Sequence, residues 1–379
     1  MKLSLTTTAL ALVLGLAAPA LADIKIGATV SETGPASFLG DPEAKTLKLL
    51  VEEINAAGGV NGEKLQLVIY DDGGDPNKAR TFATRLVEDD EVVAVIGGTT
   101  TGTSMAVIPV FEDAEVPFIS LAGAIEIIDP VKSYTFKTPH TDRMACAKIF
   151  EDMKKNGITK IGMISGSDGF GASMHKQCQA IVGDYGIEVL ADETYGPTDA
   201  DMTPQLTNIK GKEGIQAVLN PGFGQGPAIV TRNYAQLAVG LPLYQSHGVA
   251  SDGFIELAGA EAAEGVRLPG TALLVAKLLP ESDPQRAVVT AYKDAYEKAT
   301  GKPVSTFGGY AHDALRILVD ALKRAGSAEP SDIRDAIEAT KGLVGTTGTV
   351  TMTAEDHLGL DLSAFRMLQI EKGGWKIVE

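Results

Sequence analysis

Short apolar runs alternate with stretches of helical period along most of the chain, and that alternation sets the expected fold. Ile24 to Val30, Lys64 to Tyr70, Val92 to Ile96 and Pro117 to Leu121 read as strands, each too short for a helix and rich in apolar residues. Between the first two lies SETGPASFLGD, punctuated by Gly and Pro and carrying Phe38 and Leu39, which reads as a loop. Ala44, Leu47, Val51 and Ile54 then recur at helical spacing, and Gly58-Gly59 ends that helix. Asp75-Pro76 supplies an N-cap and a first-turn proline for a second helix reaching Val87, and a third runs to about Ala114. The order β-α-β-α-β-α-β predicts a doubly wound parallel sheet, which binds ligands outside the carboxyl ends of its strands. The loops at 31–40, 99–104 and 122–126 all fall at those ends.

A second series of the same kind follows Lys137-Thr138-Pro139. It has a helix from about Asp142 to Lys155, strands at Lys160 to Ser165, Ile187 to Ala191, Gln216 to Asn220 and Leu243 to Ser246, and helices between them. Its loops are GSDGFG, with Phe170, the glycine-dense PGFGQGP, with Phe223, and His247-Gly248-Val249. Val266 to Val275 reads as an extended return. Ala311, Leu315, Leu318 and Leu322 form a core-packing helical stripe. Thr346 to Val350 reads as an extended crossing, followed by a hairpin of Leu362 to Ile370 and Lys376 to Val378 that carries Trp375.

The stretch VVAVIGGTTTGTSM, Val92 to Met105, carries candidate chemistry. A strand end followed by a helix start presents unpaired backbone N–H groups and the positive end of a helix dipole, here beside the hydroxyls of Thr99, Thr100, Thr101, Thr103 and Ser104. That suits a small carboxylate. An ordinary βα turn whose hydroxyls only cap the helix is the alternative. No Lys follows the glycines, so this is not a Walker A loop, and neither GGTTTGTS nor GFGQG fits the dinucleotide fingerprint.

The ends and the composition narrow the function. Met1-Lys2, the apolar Ala9 to Ala18 and Ala20-Leu21-Ala22 make a secretory signal peptide over residues 1–22, cleaved after Ala22, which places the mature chain in a periplasm. No later run is long enough to span a bilayer, so no membrane insertion is expected. Loss of Lys2 moves the net charge from −16 to −17, spread along the chain, which argues against nucleic acid as a partner. Cys146 and Cys178 lie on successive helices in an exported protein; a disulfide between them is open, since spacing alone does not fix their separation. Neither a metal-type Cys/His cluster nor the spacing of a calcium loop in DDGGDP is present, and no cofactor is expected. G-x-S-x-G, H-E-x-x-H and paired Cys and His are also missing, so an enzyme is not expected.

The segments IKIGATVSETGPASFLGD, INAAGGVNGEKLQLVIYDD, VIGGTTTGTSMAVIPVFEDAEVPFISLAGA and SHGVASDGFIELAG together resemble the periplasmic receptors of the branched-chain amino acid class of ABC importers, the type I periplasmic binding proteins. The resemblance implies two doubly wound, Rossmann-like α/β lobes joined by three crossing segments, near 138–142, 270–276 and 345–351. It assigns 23–138 plus 275–346 to the first lobe and 139–270 plus 351–379 to the second. The lobes would close on a small ligand, and the monomeric receptor would then dock on an ABC permease. A sensor for signalling partners is the rival reading.

Position by position, the family's carboxylate site falls on Thr101, beside Thr100, with Ala122 and Gly123 from the following loop. Phe38 and Leu39 fall in its apolar wall, and Phe170 and Phe223 on second-lobe aromatics. Ala124 stands where amino acid binders place a hydroxyl, and His247 where leucine binders place the acid that pairs with the ligand's ammonium. A buried ammonium without a carboxylate is costly. The departures therefore point to a carboxylate lacking an α-amino group, with an aromatic acid as one form. The alternatives are a leucine/isoleucine/valine receptor whose ammonium is held by Asp168 or Glu126 while His247 is satisfied by its own loop, and phenylalanines that serve only as core.

Overall fold

The computed structural model describes residues 23–378, so the signal peptide reading at 1–22 lies outside the described residues. The first lobe is built on a five-stranded parallel sheet in the order β2-β1-β3-β4-β5, with β1 Ile24–Val30, β2 Leu65–Asp71, β3 Ala94–Gly97, β4 Phe118–Ser120 and β5 Thr135–Lys137. Helices α1 Ser37–Ala56, α2 Pro76–Glu88 and α3 Thr101–Asp113 connect the strands. Asp75 caps α2 by accepting from Asn77 N (2.8 Å), with Pro76 at the first helical position, as the sequence pattern requires. The second sheet runs β14-β13-β10-β9-β8-β6-β7. Its parallel strands are β6 Lys160–Gly166, β7 Glu188–Tyr195, β8 Ala217–Asn220, β9 Leu243–Gln245 and β10 Arg267–Gly270; β13 Arg366–Glu371 and β14 Gly374–Ile377 form an antiparallel edge. Helices α4 Asp142–Lys155 and α5 Gly169–Ile181 begin this lobe.

Two cores keep the lobes apart. Ile26, Val95, Ile96, Phe118 and Phe136 pack with Ala311, Leu315, Leu318 and Leu322 of the long helix Thr306–Ala325 in the first lobe. In the second, Ile149, Phe150, Met163 and Leu219 lie on one side of the sheet and Ile164, Val218, Tyr234 and Phe254 on the other. Cys146 on α4 and Cys178 on α5 form a disulfide, their Cα atoms 5.2 Å apart.

Several sequence expectations are corrected. Phe38 and Leu39 belong to the first turn of α1, not to a loop; Pro42 lies in the second turn of that helix, which forgoes one i→i−4 hydrogen bond there. The short strand β5 lies in no apolar run: of its three residues only Phe136 is apolar, unlike those of the equally short β4. The extended return stops at Gly270, and Ala272–Leu278 coils as a 3-10 helix that packs with Tyr292 and Tyr296 of the helix Arg286–Thr300. Thr346 to Val350 is not a crossing. Strands β11 Leu343–Val344 and β12 Thr349–Val350 pair as a hairpin whose turn is held by Asp313, which accepts from Thr346 N and Thr347 N (both 2.8 Å). The chain stays on the first lobe through Val350, Met352, Leu358, Leu360 and Ala364, and joins the second core only at Phe365 and Met367. Residues 351–364, assigned to the second lobe from sequence, therefore pack on the first.

Candidate ligand-binding site

The turn after β3 needs glycine at Gly98: its φ is +64°, and a Cβ there would fall 2.8 Å from Ser104 Cα. That close turn sets five hydroxyls in a row. Thr100 is the N-cap of α3, accepting from Thr103 N (3.1 Å), while the Thr103 hydroxyl accepts from Thr100 N (3.0 Å). Ser104 Oγ donates to Gly98 O (2.6 Å), and Thr99 donates to Glu43 (2.5 Å) while accepting from Ser31 N (2.9 Å). The capping alternative thus holds for Thr100 and Thr103, and Ser104 and Thr99 are spent inside the lobe. Thr101 Oγ1 is left buried with no partner.

Thr101 opens into a cavity between the lobes, with about 380 Å³ of empty space including its mouth. Leu39, Thr99, Thr100, Thr101, Leu121, Ala122, Gly123, Phe307 and Tyr310 line it from the first lobe, and Pro139, Phe170, Phe223, His247 and Gly248 from the crossing and the second. No Asp, Glu, Lys or Arg is in this lining. The N–H of Gly123 has no acceptor among the described residues. An oxygen at the start of α3 would meet that N–H, the Thr101 hydroxyl and the free N–H groups of the helix's first turn.

The far walls are aromatic. Phe170 stands edge-on to Phe223 (centroids 6.1 Å, 85°) and to His247 (5.4 Å, 77°). Tyr310 OH and His247 Nδ1 are buried without partners. Burial, reinforced by the charge of Lys137, pushes the His247 imidazole down to about 3, leaving it neutral in ordinary conditions. The acids named as alternative ammonium partners are engaged elsewhere. Asp168 caps α5 through Phe170 N (2.9 Å) and Gly171 N (3.1 Å) and faces an outer cleft, and Glu126 is held by Ser173 (2.5 Å) and Lys176 (3.3 Å).

Of the residues singled out from sequence, Leu39, Thr100, Thr101, Ala122, Gly123, Phe170, Phe223 and His247 meet at this cavity. Phe38 and Ala124 do not. The Phe38 ring is wedged between Phe223 (6.4 Å) and Phe307 (5.8 Å) behind the wall. Ala124 is fully buried, its carbonyl turned onto Lys137 Nζ (3.2 Å). Sequence reading missed Phe307 and Tyr310, which begin the helix that carries the Ala311, Leu315, Leu318 and Leu322 core stripe. It also missed Lys137, whose signal was one cation inside the strand-like run Tyr134 to Thr138. Lys137 Nζ also donates to Gly123 O (2.9 Å), and burial pushes its amine down to about 7 against the pull of Asp142 and Glu126.

Among the described residues no helix is long and apolar enough to cross a membrane. The sequence model described as "Periplasmic binding protein" matches residues 23–374. The chain is 27% identical over 320 residues to a leucine-, isoleucine-, valine-, threonine-, and alanine-binding protein of Pseudomonas aeruginosa, covering 83% of this chain and 82% of that protein. It is 26% identical over 359 residues to Leu/Ile/Val-binding protein homolog 3 of Brucella melitensis, covering 93% and 94%. An extracellular ligand-binding receptor from Rhodopseudomonas palustris HaA2 superposes with a TM-score of 0.87 at 29% identity, covering 94% of this chain and 99% of that one. The branched-chain amino acid transporter substrate binding protein LivJ from Streptococcus pneumoniae, in complex with isoleucine, superposes with a TM-score of 0.83 at 26% identity, covering 94% and 99%. Two parallel-sheet lobes closing over a cavity, a match across almost the whole described length and these neighbours give one conclusion: the chain belongs to the periplasmic binding protein family, with the type I fold, and is a solute-binding receptor rather than an enzyme.

Proposed function

We propose that this protein is the periplasmic receptor of an ABC importer, and that it captures a small carboxylate without an α-amino group, such as an aromatic acid, by closure of its lobes. The cavity lining carries the reading: it offers N–H and hydroxyl donors to an anion but no carboxylate to an ammonium. Its walls of Phe170, Phe223 and Phe307 fit a flat apolar body. The carboxylate is met first by the lobe holding Thr101, and Phe170, Phe223 and His247 add contacts only when the second lobe closes. The closed form is what a permease would recognise. The relatives named for leucine, isoleucine and valine support the second reading, a branched-chain amino acid receptor.

A thermal-shift screen of mature protein, unfolded and refolded to remove bound ligand, separates the two. One panel holds leucine, isoleucine, valine and phenylalanine, and the other benzoate, 4-hydroxybenzoate, cinnamate and short 2-oxo acids. A ligand at a hundred times its Kd adds about 2.7 kcal/mol. Shifts confined to the second panel support the proposal; shifts with leucine or valine replace it with the amino acid reading.

A further inference from the structure

Behind the carboxylate cradle lies a charge that the cavity lining does not reveal. Lys137 ends β5 fully buried, and among the described residues no ion pair joins its ammonium to a carboxylate. Instead Nζ donates to two carbonyls of the cradle loop, Gly123 O (2.9 Å) and Ala124 O (3.2 Å). Gly123 O also accepts from Asp142 N (3.0 Å), so both carbonyls are engaged on the interior side of the loop, while the Gly123 N–H remains without an acceptor and Ala122 and Gly123 line the cavity. The cation and the cradle are therefore opposite sides of one short loop.

Resting on the carboxylate reading, we propose that Lys137 is the counter-charge and positioning residue of the cradle, and that closure on an anion is coupled to protonation of its amine. Coulombic attraction across one buried loop is weakly screened, so an anion in the cradle favours charged Lys137, and charged Lys137 favours the anion by the same free energy. The groups around Lys137 leave it this role. Asp142 at the start of α4 shares its Ser173 contact with Glu126 and accepts from Ile125 N (3.1 Å); Glu126 is also held by Lys176. Burial holds His140 on the crossing well below its usual range, and His247 likewise, so both imidazoles stay neutral. His357 gives Lys137 only its backbone carbonyl and stacks its ring on Phe136 (4.2 Å).

The unliganded amine, pushed down to about 7, lies where such coupling is measurable. Below that pH it is already charged and affinity for an anion is level. Above it, binding must bring a proton, and affinity falls by up to about tenfold per pH unit.

Calorimetry with benzoate, which stays ionised, and neutral benzamide tests this over about pH 6 to 9. Wild type should show the falling limb with benzoate and none with benzamide, and at about pH 8 should take up as much as one proton per benzoate when read in buffers of different ionisation enthalpy. Lys137→Arg keeps the charge but does not titrate. It should bind benzoate at about pH 6 within roughly threefold of wild type and lose the limb, whereas Lys137→Met, which also loses the two loop bonds, should weaken benzoate at that pH at least about tenfold more than benzamide. A level wild-type profile, or a limb that survives in Lys137→Arg, overturns the coupling and leaves the carboxylate reading standing. Leucine binding in place of benzoate strikes the ligand class instead, and the same profile run with leucine up to about pH 8.5 then decides the coupling.

Discussion

Gly123 of the first lobe and Phe170 of the second touch across the cleft: a Cβ built on Gly123 would stand 2.7 Å from Phe170 Cε2 and 3.1 Å from His247 Nε2. Both neighbours belong to the second lobe, so the contact exists only with the lobes together. Gly123→Ala should thus leave each lobe folded and obstruct closure. Ligand affinity should fall by about ten- to a hundredfold while the melting temperature without ligand moves by no more than a few degrees. Titration calorimetry beside a melting curve checks this, and unchanged affinity would show that Phe170 swings aside freely.

Thr101 Oγ1 is the one hydroxyl of the turn with no protein partner. Thr101→Val keeps the shape and removes a donor to a buried carboxylate, a bond worth about 1.5–3 kcal/mol. Affinity should fall by roughly ten- to a hundredfold, with Thr100→Val acting mainly on stability through the lost cap. Binding equal to wild type in Thr101→Val would move the anion site elsewhere.

His247, neutral at ordinary pH, stands between Phe170 (5.4 Å) and Phe365 (5.5 Å) on the cavity wall. His247→Glu places a carboxylate beside the proposed anion. Benzoate affinity should drop at least about tenfold while affinity for leucine rises, because the ammonium gains a partner and the plain acid gains a like charge. The two affinities, compared by calorimetry, would have to move together for His247 to have no part in selection.

Lys137 also makes stability depend on pH. Its unfolded value is near the ordinary 10.5 and its folded value is lowered to about 7, so between these the unfolded chain binds more protons than the native one. Stability without ligand should therefore rise with pH through that window, by on the order of a few kcal/mol from this group alone. Denaturant midpoints for wild type and Lys137→Met across about pH 6.5 to 10 isolate it: the rise should be smaller in the variant, and equal slopes would place the amine in contact with water.

What the sequence determined by itself is local. Short apolar runs and helical stripes specify β1–β4 and α2, Asp75-Pro76 fixes a helix start, and the glycine-threonine turn marks an anion site, because each signal lies within a few bonded neighbours. Chain order also placed Leu39, Ala122 and Gly123 at strand ends facing one crevice. Tertiary structure decided which of five equivalent-looking hydroxyls stays free: Glu43, Ser31 and Ser120, distant in sequence, take up Thr99 and Ser104. It turned Phe38 and Ala124 out of the cavity and brought Tyr310 and Phe307 in, since a helix face is assigned by what packs against it. It kept residues 351–364 on the first lobe, where Asp313 clamps the β11–β12 turn. And it buried Lys137 behind the loop that faces the ligand, where its charge depends on solvent exclusion that no stretch of sequence carries.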